Sequence, residues 1–444
     1  MPHRRAHRPT PFARPMDPRI HSVVLDNGLR VVVVPLDHLH TATVQLHVKV
    51  GSRFETPDDS GLSHFVEHML FRGTEAYPSS YELNFAVERL GATLDAETGR
   101  DLSMYPLTVP PGLCGDAVLL LGELVSRPRF DDIELERQIL IEELNEDFDE
   151  RGVEVCADEI ARRLLFGDHP LGRRITGPRD NVERFTVDDV RRHHARFYVA
   201  RNMVLVAAGP VDAGAVVRAA RSAFGGLAAG EPATFVPAPE PPGAPQFAYV
   251  DQPGSQSDVH LALVGLPEAD ADYAASVALL RVLDDGMSAR LHYRLCDQRG
   301  LAYSIAAGIE PLHDCAVFEI EGATAHAKVP DLLAGALELL LELRAEPVSA
   351  RELDKAKVRY ECDAQAALDD AAAIASWYGT LALYGQRPLP SLQSRVDQMR
   401  AVTAADVQRA AARIVRPERS AVVIVGTLSR ARVAVAREIA TAWT

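Results

Sequence analysis

The stretch from Thr186 to Gly209 returns 217 residues later: Thr186, Asp189, Val190 and Arg196 recur as Thr403, Asp406, Val407 and Arg413. In each copy a helix leads into an apolar strand that stops at a glycine, Gly209 or Gly426. A repeat of that length is a repeat of whole folding units, because a lone helix or strand cannot bury enough apolar surface to stand by itself. The chain is therefore expected to build one architecture twice, and its 444 residues suit this, since single cores stop growing at about 250–300 residues. Between the copies, EPATFVPAPEPPGAP at 231–245 holds six prolines in fifteen positions. Proline interrupts helix interiors and central strands alike. Residues 231–246 are thus expected to link an N-terminal domain, 19–230, to a C-terminal repeat, 247–444.

Local patterns give the elements of each copy. His21–Leu25 and Leu29–Pro35 flank Asp26-Asn27-Gly28, a hairpin signal because Asn-Gly accepts positive φ cheaply. In the next strand Val44, Leu46, Val48 and Val50 alternate with Gln45, His47 and Lys49, which predicts one buried and one wetted face. Helices are expected over Ser60–Phe71 and Ser79–Leu90, the second opened by a Ser79-x-x-Glu82 capping box and closed by Gly91. Strands near Ala92–Thr98 and Met104–Val109 flank the turn Gly99-Arg100-Asp101, and helical periodicity returns over Gly112–Val125 and Asp132–Phe166. The second half repeats the order, with a strand at Asp258–Gly265, helices at Ala271–Asp284 and Met287–Cys296, two strands and long helices. The fold class is α+β: two duplicated domains, each a mainly antiparallel mixed sheet packed with helices.

Composition removes whole classes of function. Hydrophobic residues at 47% and charged residues at 25% describe an ordinary globular chain. No window reaches eighteen apolar residues, so no membrane span is expected. A net charge of −15 disfavours nucleic acid, which demands clustered cations, and favours basic peptides instead. Five scattered cysteines without a CxxC pair read as free thiols in a reducing compartment. Residues 1–18 are Arg- and Pro-rich without an apolar signal core. They read as a disordered tail of a cytoplasmic protein, with a transit peptide as the alternative.

The most informative stretch is His64-Phe-Val-Glu67-His68. On a helix, His64, Glu67, His68 and Phe71 share one face, while Leu62, Phe65, Val66 and Met69 lie opposite. Imidazoles at i and i+4 can grip one metal ion with a carboxylate beside them, which is the inverted HxxEH zinc motif with Glu67 as general base. Catalytic zinc takes a third protein ligand, and the helix after Asp132 offers candidates. Ile133, Leu140, Leu144 and Phe148 form its buried stripe. Glu142 and Glu146 point away from that stripe, whereas Glu136 and Glu143 sit together on its border.

HFVEH at 64–68, with the last Glu of ERQILIEE 75 residues beyond His68, resembles the pitrilysin family of zinc metallopeptidases. The likeness is to the short-chain branch that includes the mitochondrial processing peptidase subunits. GSRFETPDDSGLSHFVEHMLFRGT, LGATLDAETGRD, FGDHPLGRRITGP, FYVARNMVLVAAG and DQRGLAYSI fit the family pattern in the family order, over about residues 20–427. The resemblance implies one Zn2+ per chain on His64, His68 and Glu143, with Glu67 as general base and Glu136 as a supporting carboxylate. It implies a clamshell chamber made with a homologous second chain, heterodimer favoured over homodimer. It also implies an extended peptide substrate lying along an edge strand, for which Ala92–Thr98, with Asp95 and Ala96, is the candidate.

Two positions depart from that pattern. Asp95 stands where the family usually has Asn. Active members also pair the Tyr of GLAY, here Tyr303, with an Arg seven residues earlier, and that position is Cys296. Arg294 and Arg299 are near but wrongly spaced. The second copy has no HxxEH, its corresponding helix reading SVALLRVLDDG. The leading expectation is a zinc endopeptidase, the catalytic subunit of a two-chain chamber; the competing one is a non-catalytic structural or chaperone-like member of the family.

Overall fold

The structure is a computed structural model that describes residues 17–443. The first copy runs β1 (His21–Val24), β2 (Arg30–Pro35), β3 (Ala42–Val48), α1 (Leu62–Leu70), α2 (Ser80–Arg89), β4 (Glu97–Thr98) and β5 (Ser103–Val109). It continues through α3 (Cys114–Ser126), α4 (Ile133–Asn145), α5 (Ala157–Phe166), α6 (Arg179–Arg184), α7 (Val187–Phe197), β6 (Met203–Gly209) and α8 (Ala213–Phe224). The second copy begins with β7 (Gln246–Val250), β8 (Ser257–Gly265), α9 (Tyr273–Leu283), β9 (Ser304–Pro311) and β10 (Ala316–Thr324). Then come α10 (Val329–Ala345), α11 (Ala350–Ala366), α12 (Ala371–Leu383), α13 (Leu392–Ala401), α14 (Ala404–Ile414), β11 (Ser420–Val425) and α15 (Arg430–Ala442).

The strand orders are β1-β2-β6-β3-β5-β4 and β7-β11-β8-β10-β9. Setting β1 aside, they match strand for strand. β6 lies parallel to β2 and antiparallel to β3, as β11 lies parallel to β7 and antiparallel to β8. The repeated Thr-x-x-Asp motifs form reciprocal capping boxes at the starts of α7 and α14. Both sheets are mixed and mainly antiparallel, so the chain is an α+β duplication.

The two copies exchange helices. One face of the first sheet packs on its own α1, α3 and α8, through Val31, Val33, Leu46 and Leu205. Its other face, with Val32, Val34, Val204 and Val206, is covered by Ala371, Ile374, Ala375 and Tyr378 of α12, from the second copy. The second sheet receives Ile160, Ala161, Leu165 and Phe166 of α5, from the first copy, against Ala262, Val264, Val317 and Val423. This exchange overturns the wetted face expected for β3: Gln45 is 2% and His47 0% exposed. His47 Nε2 lies 3.2 Å from Gln45 Oε1, and Gln45 Nε2 donates to Ala372 O at 3.2 Å. Gly379 makes the close packing feasible, because a Cβ there would lie 2.1 Å from His47 Nε2.

Other expectations also need correction. The periodic stretch 132–166 is two helices, separated by a turn in which Asp149 O accepts from Gly152 N at 2.8 Å and Gly152 has φ +74°. The edge strand expected over Ala92–Thr98 pairs only at Glu97 and Thr98; upstream of them Leu94 and Ala96 pack half-buried on the core but lie outside the ladder. The helix expected over Met287–Cys296 is largely a π-helical turn, His292–Asp297. The disordered tail expected over 1–18 lies, up to residue 16, outside the described residues; Asp17 Oδ1 accepts from Gln393 N at 3.1 Å. Among the described residues no helix is long and apolar enough to cross a membrane, and all five cysteines are free.

Candidate metal centre

The position of α1 is fixed at its first turn. Glu55 is buried and its carboxylate accepts from Gly61 N at 2.8 Å and Ser63 N at 2.7 Å, doing for the helix start what an N-cap side chain does. Burial pushes its carboxyl up to about 7 against the pull of those donors. Gly61 has φ +96°, and a Cβ there would lie 2.6 Å from Thr176 O, so glycine is required on both conformational and steric grounds. The same crowding from the opposite side requires Gly177, whose Cβ would meet Ser60 O at 2.3 Å. The Gly177 loop and α7 therefore press α1 into place, with Ser63 Oγ 3.0 Å from His193 Nε2 and Phe65 edge-on to Phe185.

On the opposite face of α1, His64 and His68 stack edge to face with ring centres 4.6 Å apart. α4 packs alongside and brings both border glutamates to them. Glu143 Oε1 is 3.4 Å from His64 Nε2 and its Oε2 is 3.4 Å from His68 Nε2. Glu136 Oε1 lies 2.9 Å from the other nitrogen of His68, Nδ1. Glu142 and Glu146 are exposed, as the helical wheel predicts. Arg72, which the sequence reading did not single out, places Nη1 3.4 Å from Glu136 Oε2 and Nη2 3.6 Å from Asp132 Oδ2. Its signal was spacing: Arg72 is one helical turn beyond His68.

The electrostatics separate the two imidazoles. Burial, aided by the neighbouring His68, lowers His64 to about 4, so it is neutral with a lone pair to offer. Burial also opposes charge on His68, but Glu136 and Glu143 outweigh it and raise the group to about 9. A cation between these side chains is thus favoured, whether a proton or a metal. Glu67 is buried, its Oε2 has no hydrogen-bond partner, and burial pushes its carboxyl above the ordinary range, with the Thr98 hydroxyl and His68 pulling back. His64, Glu67 and His68 bring one donor atom each within 4.8 Å of one another. Geometry by itself therefore offers two carboxylates, Glu67 and Glu143, beside the imidazole pair. The donor set, two imidazole nitrogens plus carboxylate oxygen, suits zinc.

The expected substrate contacts are less gathered. Asp95 is exposed and its Oδ1 accepts from Ala96 N at 2.9 Å, which occupies one of the donors that an added strand would use. Tyr303 is 94% exposed. Cys296 is half-buried in the π-helical turn. Arg294 forks onto Glu342, with Nη2 2.9 Å from Oε1, and Arg299 Nη1 is 3.5 Å from Glu338 Oε2. A groove of about 1090 Å³ between α2 and α3 takes none of these residues into its wall.

Comparison with known proteins yields matches along most of the chain. Residues 30–179 match the family model described as Insulinase (Peptidase family M16), and residues 184–360 match that of the Peptidase M16 inactive domain. An uncharacterized zinc protease of Streptomyces coelicolor is 30% identical over 423 residues, which is 92% of this chain and 90% of that one. A probable mitochondrial-processing peptidase subunit beta of Schizosaccharomyces pombe is 28% identical over 435 residues, covering 94% of this chain and 93% of the relative. Among solved structures, a protease from Helicobacter pylori shares the fold with a TM-score of 0.84 at 23% identity, covering 92% of this chain and 100% of that one.

Proposed function

This chain belongs to peptidase family M16, and on that premise we propose that it is a zinc-dependent endopeptidase acting on peptides or unfolded segments. The observation that carries the proposal is Glu143, on a different helix, reaching the Nε2 atoms of both His64 and His68 at 3.4 Å. His64, His68 and Glu143 hold the zinc, one ion per chain. When bound there, it supplies Lewis acidity toward water and a peptide carbonyl. Glu136 fixes His68 through Nδ1, which leaves Nε2 for the metal, and Arg72 in turn steadies Glu136. Glu67 is left as the base: its buried carboxylate has an unpartnered oxygen, and burial raises its affinity for the proton it must take from water and pass to the leaving amine. The substrate backbone lies as an extra strand beside β4, at the free edge of the first sheet.

A direct test is metal exchange. The purified protein is expected to hold about one tightly bound zinc per chain, to lose peptidase activity to a chelator and to regain it with zinc. Unchanged activity after complete metal removal would overturn the proposal.

The family relationship also suggests a homologous second subunit closing a chamber over the site, a heterodimer in preference to a homodimer. Cys296 is the reason. An extended peptide needs fixed donors aimed at its carbonyls, which a guanidinium provides and a thiol does not. Arg294, committed to Glu342, is a poor substitute. The isolated chain is therefore expected to cleave unfolded basic peptides slowly, and Cys296→Arg or a homologous partner bearing Arg and Tyr seven residues apart to speed it. Typical enzyme rates from the unmodified chain, with no gain from Cys296→Arg, would refute the need for a partner.

A further inference from the structure

The second copy lacks HxxEH, yet another set of metal-type donors converges where α5 crosses the second sheet. We propose that Asp158 of α5, His260 of β8 and Glu319 of β10 form a second site for a first-row divalent cation, clipping the helix of one copy to the sheet of the other. The three residues bring one donor atom each within 4.8 Å of one another. His260 Nε2 is 3.8 Å from Asp158 Oδ1 and 3.7 Å from Glu319 Oε2. Ligands bound at about 2.0–2.2 Å around a tetrahedral ion stand roughly 3.4 Å apart, so the imidazole needs to close on each carboxylate by only a few tenths of an ångström.

The unusual member is His260. It is 4% exposed, and its buried Nε2 has no hydrogen-bond partner, an expensive arrangement for a polar atom. Both carboxylate oxygens lie beyond hydrogen-bond range. Burial favours the neutral imidazole. If Nε2 carries the hydrogen, it has no acceptor within reach. If Nδ1 carries it, the Nε2 lone pair faces two carboxylate oxygens, each already held by one Arg162 donor, and finds no donor of its own. A cation there would satisfy the nitrogen and take up a remaining lone pair on each oxygen.

Charge agrees with this reading. Asp158, Glu159, Glu310 and Glu319 outnumber the two guanidiniums paired with them, Arg100 and Arg162, and Glu321 lies opposite His260 across the strands. Arg162 sits 2.9 Å from Asp158 Oδ1 through Nε and 2.9 Å from Glu319 Oε2 through Nη2. It orients both oxygens and engages one lone pair of each, leaving another free. Its charge also repels the ion, so this site is weaker than the one on α1.

The test uses the full chain with the first centre removed by His64→Ala and His68→Ala. Metal-depleted protein is titrated calorimetrically with Zn2+ and Mn2+, and with Co2+ followed by visible absorption. The proposal expects about one equivalent bound, d–d bands from Co2+, and a metal-dependent rise in Tm. All three should vanish when either His260→Ala or Glu319→Gln is added; the second change preserves shape. Failure of all three ions to bind overturns the proposal, as does binding unaltered by both changes. In the otherwise unmodified chain His260→Ala should leave the tightly bound zinc in place, so failure of this inference is distinguishable from failure of the assignment on α1.

Discussion

Glu67→Gln is expected to leave zinc bound while lowering turnover by about two to four orders of magnitude, the usual contribution of a positioned general base. The amide keeps the volume and can fill the same buried place beside His64 and His68, but it cannot take a proton. The variant also resolves the choice between carboxylates. Glu67 has a donor atom within 4.8 Å of both imidazoles, so its removal would release metal if it were the third ligand. Loss of zinc together with loss of activity would transfer the ligand role from Glu143 to Glu67. Full activity with zinc retained would remove Glu67 from the chemistry. Chelator-resistant zinc content and kcat, measured on the same preparation, separate the three outcomes.

The sequence carried the wiring of each copy well because hairpins, capping boxes and glycine stops are local. Asn27-Gly28 turns β1 into β2, and the two Thr-x-x-Asp boxes open α7 and α14. What it concealed is non-local. The alternation in β3 signals a half-wet strand, yet His47 is fully buried because α12, more than 300 residues later, lies over it. A polar residue under a helix from the other copy has no local signature. The shortness of β4 is similar: Leu94 and Ala96 turn toward the core at strand spacing, yet the ladder is limited to Glu97 and Thr98, and where a ladder stops depends on a partner strand that no local pattern names.

The candidate site was legible for the same reason the hairpins were. HxxEH fixes three side chains on one helical face, and the stripe on α4 narrows four glutamates to two. The step that periodicity cannot make is to say which of Glu136 and Glu143 meets which nitrogen. That depends on how α4 lies against α1, and the packing separates them: Glu136 on Nδ1 of His68, Glu143 on the Nε2 pair. Arg72 escaped notice because an arginine at a helix end ordinarily needs no partner beyond the helix dipole.

That separation predicts a graded series in zinc affinity. Glu143→Gln replaces an anionic oxygen facing both imidazoles with a neutral amide, and zinc affinity should fall sharply, taking activity with it. Glu142→Gln and Glu146→Gln, on the exposed side of the same helix, should leave affinity unchanged, which controls for any general effect of removing one charge from α4. Glu136→Gln still accepts from His68 Nδ1 but loses the carboxylate that strengthens it and pairs with Arg72, so an intermediate loss of about 10–100-fold is expected. Competition with a chromophoric chelator reads all four. Equal losses at 142, 143 and 146 would mean that α4 presents another face to α1. A loss at Glu136 as large as at Glu143 would mean that ligand and support are exchanged, with His68 bound to the metal through Nδ1 in place of Nε2.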